Sequence, residues 1–320
     1  MTMRASFAEE SARSRSIAPS PRATKTSGVR WGDLLAHGFV VTCGGIVVLA
    51  TVTMIAFLAQ TGIKGLMEVG LWPLLHGTRW KPEADSYGGF ALLSGTLISA
   101  SGAVVLGALP AVLAAVWLSE LSPKSVRTPF RRVMEIAAAV PSVVYGWLAL
   151  VYLVPLMERF AHSIYGSEAA VGGEGLASSA LLLGIMIAPT VLLLSLDALS
   201  RVPAELRQGS AALGASEMQT AFRVALPGAW RGILIAVFFG LARAAGETMA
   251  VQMVIGGARK LPDNLFTPTT TISTQIVMDM QNARPGTTAS NALYSMALVL
   301  LVVSVIIVLA TRLLSRKTAQ

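Results

Sequence analysis

Apolar positions in this chain fall in long unbroken blocks, not in the short alternations of soluble strands and helices. A helix needs about 20 predominantly apolar residues to cross a bilayer core. Six blocks are long enough, over residues 34–59, 91–118, 133–156, 176–196, 232–255 and 292–314. The pattern predicts an all-α integral membrane protein with six transmembrane helices in one domain over 31–320. Residues 1–30 are rich in Ser, Arg, Pro and Ala without apolar periodicity, which predicts a disordered cytoplasmic tail. The block that follows is too long for the apolar core of a cleaved signal.

Composition strengthens the membrane reading. Apolar residues make up 54% and charged residues 13% of the 320 positions, against about 25% charged in soluble domains. The net charge of +8 would suit nucleic acid or anionic lipid, but its distribution points to topology. Seventeen of the 25 Lys and Arg residues lie in the N-terminal tail, in the second and fourth connections and at the C-terminus. Cytoplasmic loops attract basic residues, so both termini are expected in the cytoplasm. The first external loop, residues 60–90, carries Trp72, Trp80 and Tyr87, rings expected at the headgroup level. The lone Cys43 excludes an intrachain disulfide, and three scattered histidines (His37, His76, His162) give no metal-ligand spacing.

The fourth connection has the grammar of two short helices. Pro203 followed by Glu205 marks a helix start, and Gly214, followed by Ala215, suits its end. Ser216 with Gln219 three residues on makes a capping box for a second helix, which Leu226-Pro227 is expected to interrupt. The whole loop, 203–227, should project from the membrane.

Charge inside a span is the strongest chemical feature. Arg243 and Glu247 stand in the fifth block, flanked by Gly246 and Thr248. Arg243 lies 12 residues beyond Arg231, about 18 Å along a helix and past the middle of the bilayer core. A central charge costs about 2.5–3.5 kcal/mol even on lenient scales, so it must face protein or water. Four residues apart on a helix, the two would share a face, open either to an internal salt bridge or to an anionic cargo. Guanidinium grips oxyanions through paired donors, which favours cargo. Pro141 in the third block can bend that helix, for the pathway or for packing alone.

Four stretches resemble a known family. PAELRQGSAALGASEMQTAFRVALP, from Pro203 to Pro227, is similar to the cytoplasmic signature of ABC importer permeases. Gly214, Val224, Leu226 and Pro227 match its spacing, whereas Gln208, Gly209 and Ser210 replace its Glu-Ala-Ala. ARAAGETMAV around Arg243, AVPSVVYG from Ala139 and YGG from Tyr87 resemble the PstC-type permeases of phosphate importers, over about residues 70–315. The resemblance implies a type I ABC importer permease fold with a cytoplasmic coupling helix in a bacterial cytoplasmic (inner) membrane. It also implies a second, PstA-like permease subunit, a PstB-like ATPase dimer and an external PstS-like phosphate-binding protein. Arg243, Glu247, Thr248 and Gly246 would then line the phosphate path, and Glu205, Gln208, Gly214, Ala215, Leu226 and Pro227 would couple to the ATPase. ATP would be used by the partner; this chain has no GxxxxGK[ST] loop and no implied cofactor. The alternatives are a sulfate or molybdate importer of the same build, or an ion-coupled carrier or channel. A membrane enzyme is the weakest, lacking a nucleophile–base or metal constellation.

Overall fold

Helices dominate the computed structural model, which describes residues 31–166 and 172–316. The expected tail over 1–30 lies outside the described residues. The chain divides into two units, residues 1–55 and 56–320. The described part of the first is the start of helix α1 (Trp31–Val69), whose side chains from His37 to Leu49 are exposed.

The second unit carries the rest of α1, then α2 (Leu71–His76), a hairpin of β1 (Trp80–Lys81) and β2 (Ser86–Tyr87), and α3 (Phe90–Leu121). Next come α4 (Lys124–Ala139), α5 (Ser142–Tyr165), α6 (Leu176–Ser200), α7 (Ala204–Ala212) and α8 (Glu217–Gly246). Short α9 (Met249–Gln252), α10 (Ile272–Met280) and α11 (Thr288–Arg316) complete it. Six helices among the described residues are long and apolar enough to cross a membrane.

Lipid gives little hydrophobic drive between helices, so small residues that let backbones meet decide the packing. The core joins α3, α6 and α8 through Ala100, Ala103, Leu183, Ile187, Val191, Ala229, Ile233 and Ala236. A Cβ on Gly107 of α3 would lie 2.1 Å from the Gly184 carbonyl oxygen of α6. Ser99 and Ser179 share a hydrogen bond of 2.8 Å across the same pair of helices, a bond that contributes about 0.6 kcal/mol inside a membrane. Within the second unit, α1 meets α11 likewise: Gly65 lies under Asn291, and the Asn291 amide donates to both carboxylate oxygens of Glu68 at 3.0 Å.

Proline leaves a repeated mark on α3, α5 and α8, though not at Pro189 within α6. Single π-helical turns occupy Val104–Ala108, Trp117–Leu121, Ala149–Leu153 and Ala221–Ala225. Each is followed after one residue by a proline, at Pro110, Pro123, Pro155 and Pro227. A proline lacks the N–H for the carbonyl four residues back, and its ring collides with it. Where the helix continues past the turn, that carbonyl belongs to the middle residue of the π turn (Leu106, Val151, Arg223), so the widened turn makes room for the ring. The turn over Trp117–Leu121 instead ends its helix, with Ser122 extended before Pro123.

The aromatic residues between the first two spanning helices divide. Trp72 is 72% exposed and stacks on His76 with ring centroids 3.7 Å apart. Trp80 and Tyr87 instead pair across the hairpin and are buried with Leu74, Leu92, Ile272 and Met296. Trp80 has a polar partner inside: its indole N–H donates to buried Asp279 at 2.8 Å. Asp279 also pairs with Arg259.

Candidate translocation path and coupling loop

Helix α6 serves as a ruler for depth. It runs antiparallel to α8, with Gly232 against Ala198 and Gly240 against Val191 and Ile187. Arg243, three residues beyond Gly240, is therefore level with the middle of the 25-residue α6. The fifth block was expected to stay helical to Ile255, but α8 ends at Gly246 and Glu247 adopts extended backbone angles. The shared-face geometry of Arg243 and Glu247 is corrected accordingly: no hydrogen bond or ion pair joins them among the described residues. Arg243 is exposed in the last turn of α8.

Broken backbone at this depth needs internal partners. The Glu247 N–H bonds the Ala244 carbonyl at 3.3 Å, and the Glu247 carbonyl accepts from the Ser273 hydroxyl at 3.0 Å. The Glu247 carboxylate accepts from the Ala250 N–H at 3.3 Å, so the acid caps α9. Thr248 Oγ1 donates to the Gly246 carbonyl at 3.4 Å. Glu247 is thus occupied with the backbone, and Arg243 is left facing outward. Ser273 carried no signal in the sequence beyond its place in a Thr/Ser-rich run.

A second break lies at the same level. Arg131 of α4 pairs with Asp197 near one end of α6 at 3.1 Å, while Gly173, just before α6, presses on Val154 of α5. The stretch alongside α6 is therefore Arg131 to Val154, interrupted midway at Val140-Pro141. The composition-based span of Ser142–Tyr165 runs past it. Pro141 precedes the N-terminus of α5, which packs on α9 where Gly146 meets Ala250. Its first amide groups have no partner within the helix and carry the positive end of its dipole. An exposed guanidinium and a helix N-terminus consequently stand at mid-height, both suited to an anion.

The fourth connection forms as its grammar predicts, with one correction. Pro203 precedes α7, Glu205 lies in its first turn, and Gly214 adopts φ +81. The capping box is complete: the Gln219 N–H donates to Ser216 Oγ at 3.2 Å and the Ser216 N–H to Gln219 Oε1 at 2.9 Å. The second helix does not stop at Leu226-Pro227, because the π turn over Ala221–Ala225 admits the proline and α8 continues into the span. Glu205, Gln208 and Gly214 are exposed, Ala215 and Leu226 half-buried, and Pro227 exposed. Leu206, Leu213, Met218 and Phe222 add exposed apolar knobs, Leu213 at 90%.

Sequence reading missed what holds this loop. Arg207 donates to both carboxylate oxygens of Glu120 at 2.9 Å and to the carbonyls of Leu199 at 2.8 Å and Val202 at 2.7 Å. Glu120 sits at the end of α3, 87 residues away, too far for any local pattern to pair them.

The family described as binding-protein-dependent transport system inner membrane component matches residues 103–320. The chain belongs to it. It is thus a permease subunit of an ABC importer and not itself an enzyme. A Bacillus subtilis protein described as a probable ABC transporter permease, YqgH, is 36% identical over 286 residues, covering 87% of this chain and 89% of that protein. The phosphate transport system permease PstC of Haemophilus influenzae is 30% identical, covering 85% of this chain and 92% of its own. Among solved structures, a chain of a bacterial alginate ABC transporter aligns with a TM-score of 0.61 at 14% identity, over 91% of this chain and 98% of that one. That likeness establishes the type I importer permease fold.

Proposed function

We propose that this permease carries inorganic phosphate across the bacterial cytoplasmic membrane, lining the path together with a second, PstA-like permease. A PstB-like ATPase dimer grips the 203–227 loop, and a PstS-like binding protein delivers phosphate outside. The observation that carries the cargo is Arg243, an exposed guanidinium with no ion pair among the described residues, at mid-height beside two helix breaks. Placed there, its cost is justified by a transported anion, which it would hold through paired donors. Thr248 and Gly246 supply a hydroxyl and an unobstructed backbone, and Glu247 fixes the break. The α5 N-terminus adds amide donors. The names of the PstC relatives support phosphate among the oxyanions. Basic residues favour cytoplasmic termini and a cytoplasmic 203–227 loop.

The test is uptake in proteoliposomes holding the assembled importer and its binding protein. ATP-dependent phosphate accumulation that excess sulfate or molybdate leaves unchanged supports the proposal. Uptake without ATP, or uptake of sulfate or molybdate instead, overturns it.

A further inference from the structure

We infer that Arg207 and Glu120 form the rigid joint through which the 203–227 loop moves the membrane helices, with Arg207 a positioning residue of the transport cycle. This rests on reading 203–227 as the surface an ATPase grips, and concerns the joint behind that surface.

A grip is useful only if the loop cannot flex away from the spans. Helix α7 has nine residues, none of them fully buried. Such a short helix is marginal by itself, and packing fixes it weakly. Side-chain bonds supply the attachment. Arg207 links α7 to α3 through Glu120 and to the end of α6 through the Leu199 and Val202 carbonyls. Ser210 adds α8 by sharing a 2.9 Å hydrogen bond with Thr220. Displacing α7 therefore pulls on three helices at once.

The partner groups are built to resist opening. The Glu120 side chain is 7% exposed, and the Ser119 hydroxyl donates to it at 2.8 Å. It lies within the π turn over Trp117–Leu121 that ends α3. Withdrawing Arg207 would strand a buried carboxylate, strip the Val202 carbonyl of its donor and leave the Leu199 carbonyl with only the Val202 N–H at 3.2 Å, a strongly unfavourable state. Arginine suits this task and lysine does not. A planar fork meets two carboxylate oxygens and two carbonyls in fixed geometry, whereas an ammonium group is a point charge with three donors.

The experiment compares phosphate taken up per ATP hydrolysed in proteoliposomes of the complete importer. It uses the wild type, Arg207→Ala, Arg207→Lys, Glu120→Gln and the Arg207→Ala/Glu120→Gln pair. We expect both single removals to lower that ratio by roughly tenfold, as small misplacements commonly do, while ATP hydrolysis and capture of the ATPase persist. The double variant should be no worse than either single one, since the two act as a unit. Arg207→Lys should fall between. An unchanged ratio in Arg207→Ala or Glu120→Gln, or losses that multiply in the double variant, would overturn the joint. If Arg207→Ala does not assemble, an unchanged ratio in Arg207→Lys overturns it equally. Sulfate and molybdate are run with the wild type, where a wrong cargo shows; a wrong joint shows only in the variants.

Discussion

Arg243 and Glu247 divide the work that a simple salt bridge would have combined. Arg243 is exposed in the last turn of α8, whereas the Glu247 carboxylate caps α9. Arg243→Ala should therefore abolish phosphate uptake, with a loss of about 100-fold or more if the guanidinium binds in transit, while the importer still assembles. Assembly is checked by co-purification with the ATPase. Glu247→Gln keeps an oxygen for the Ala250 N–H and should assemble normally, whereas Glu247→Ala loses the cap at a cost of about 1 kcal/mol. Thermal denaturation in detergent should separate the two variants by a few degrees. Gln275 of α10 supplies a third residue-scale prediction. It is 1% exposed, and neither atom of its amide has a partner among the described residues. An unmet buried amide costs about 1–3 kcal/mol, so Gln275→Leu should hold or raise the denaturation midpoint.

At the scale of elements, the 203–227 loop turns on Gly214, whose φ of +81 favours glycine and whose Cβ position is open. A left-handed conformation costs an ordinary residue about 1–2 kcal/mol. With space free, strain alone decides the outcome. Gly214→Asn should stay coupled, while Gly214→Val should hydrolyse ATP with little uptake; equal coupling in both would count against a rigid turn. The loop was legible in the sequence because its signals are local: a proline, a glycine and the Ser216–Gln219 box lie within a few residues of each other. The end of α8 was not. Apolar residues continue past Glu247 to Ile255, so composition gives no stop, and the helix breaks because Ser273 and Ala250 can satisfy the freed groups. Those partners come from the tertiary fold. The break at Val140-Pro141 lies between: the proline announced a bend, and the depth needed Arg131–Asp197 and Gly173–Val154.

For the molecule as a whole, blocks of apolar sequence gave the number of spanning helices, while the charge distribution gave an orientation still to be measured. Cys43 is the lone cysteine, so a Cys43→Ser background allows that measurement. A cysteine at Ser216 should react with a membrane-impermeant maleimide only from the cytoplasmic side, and one at Thr78 only from outside. The reverse pattern would invert the topology. The three π turns that lie within continuing helices also bear on how such a protein changes over generations. Each holds one residue more than an ordinary helical turn, and each sits beside the proline that makes the surplus welcome. Gaining or losing that residue together with its proline leaves every side chain downstream facing as before. These are the places where an insertion or deletion in a long helix can be inherited without rewriting the contacts around it.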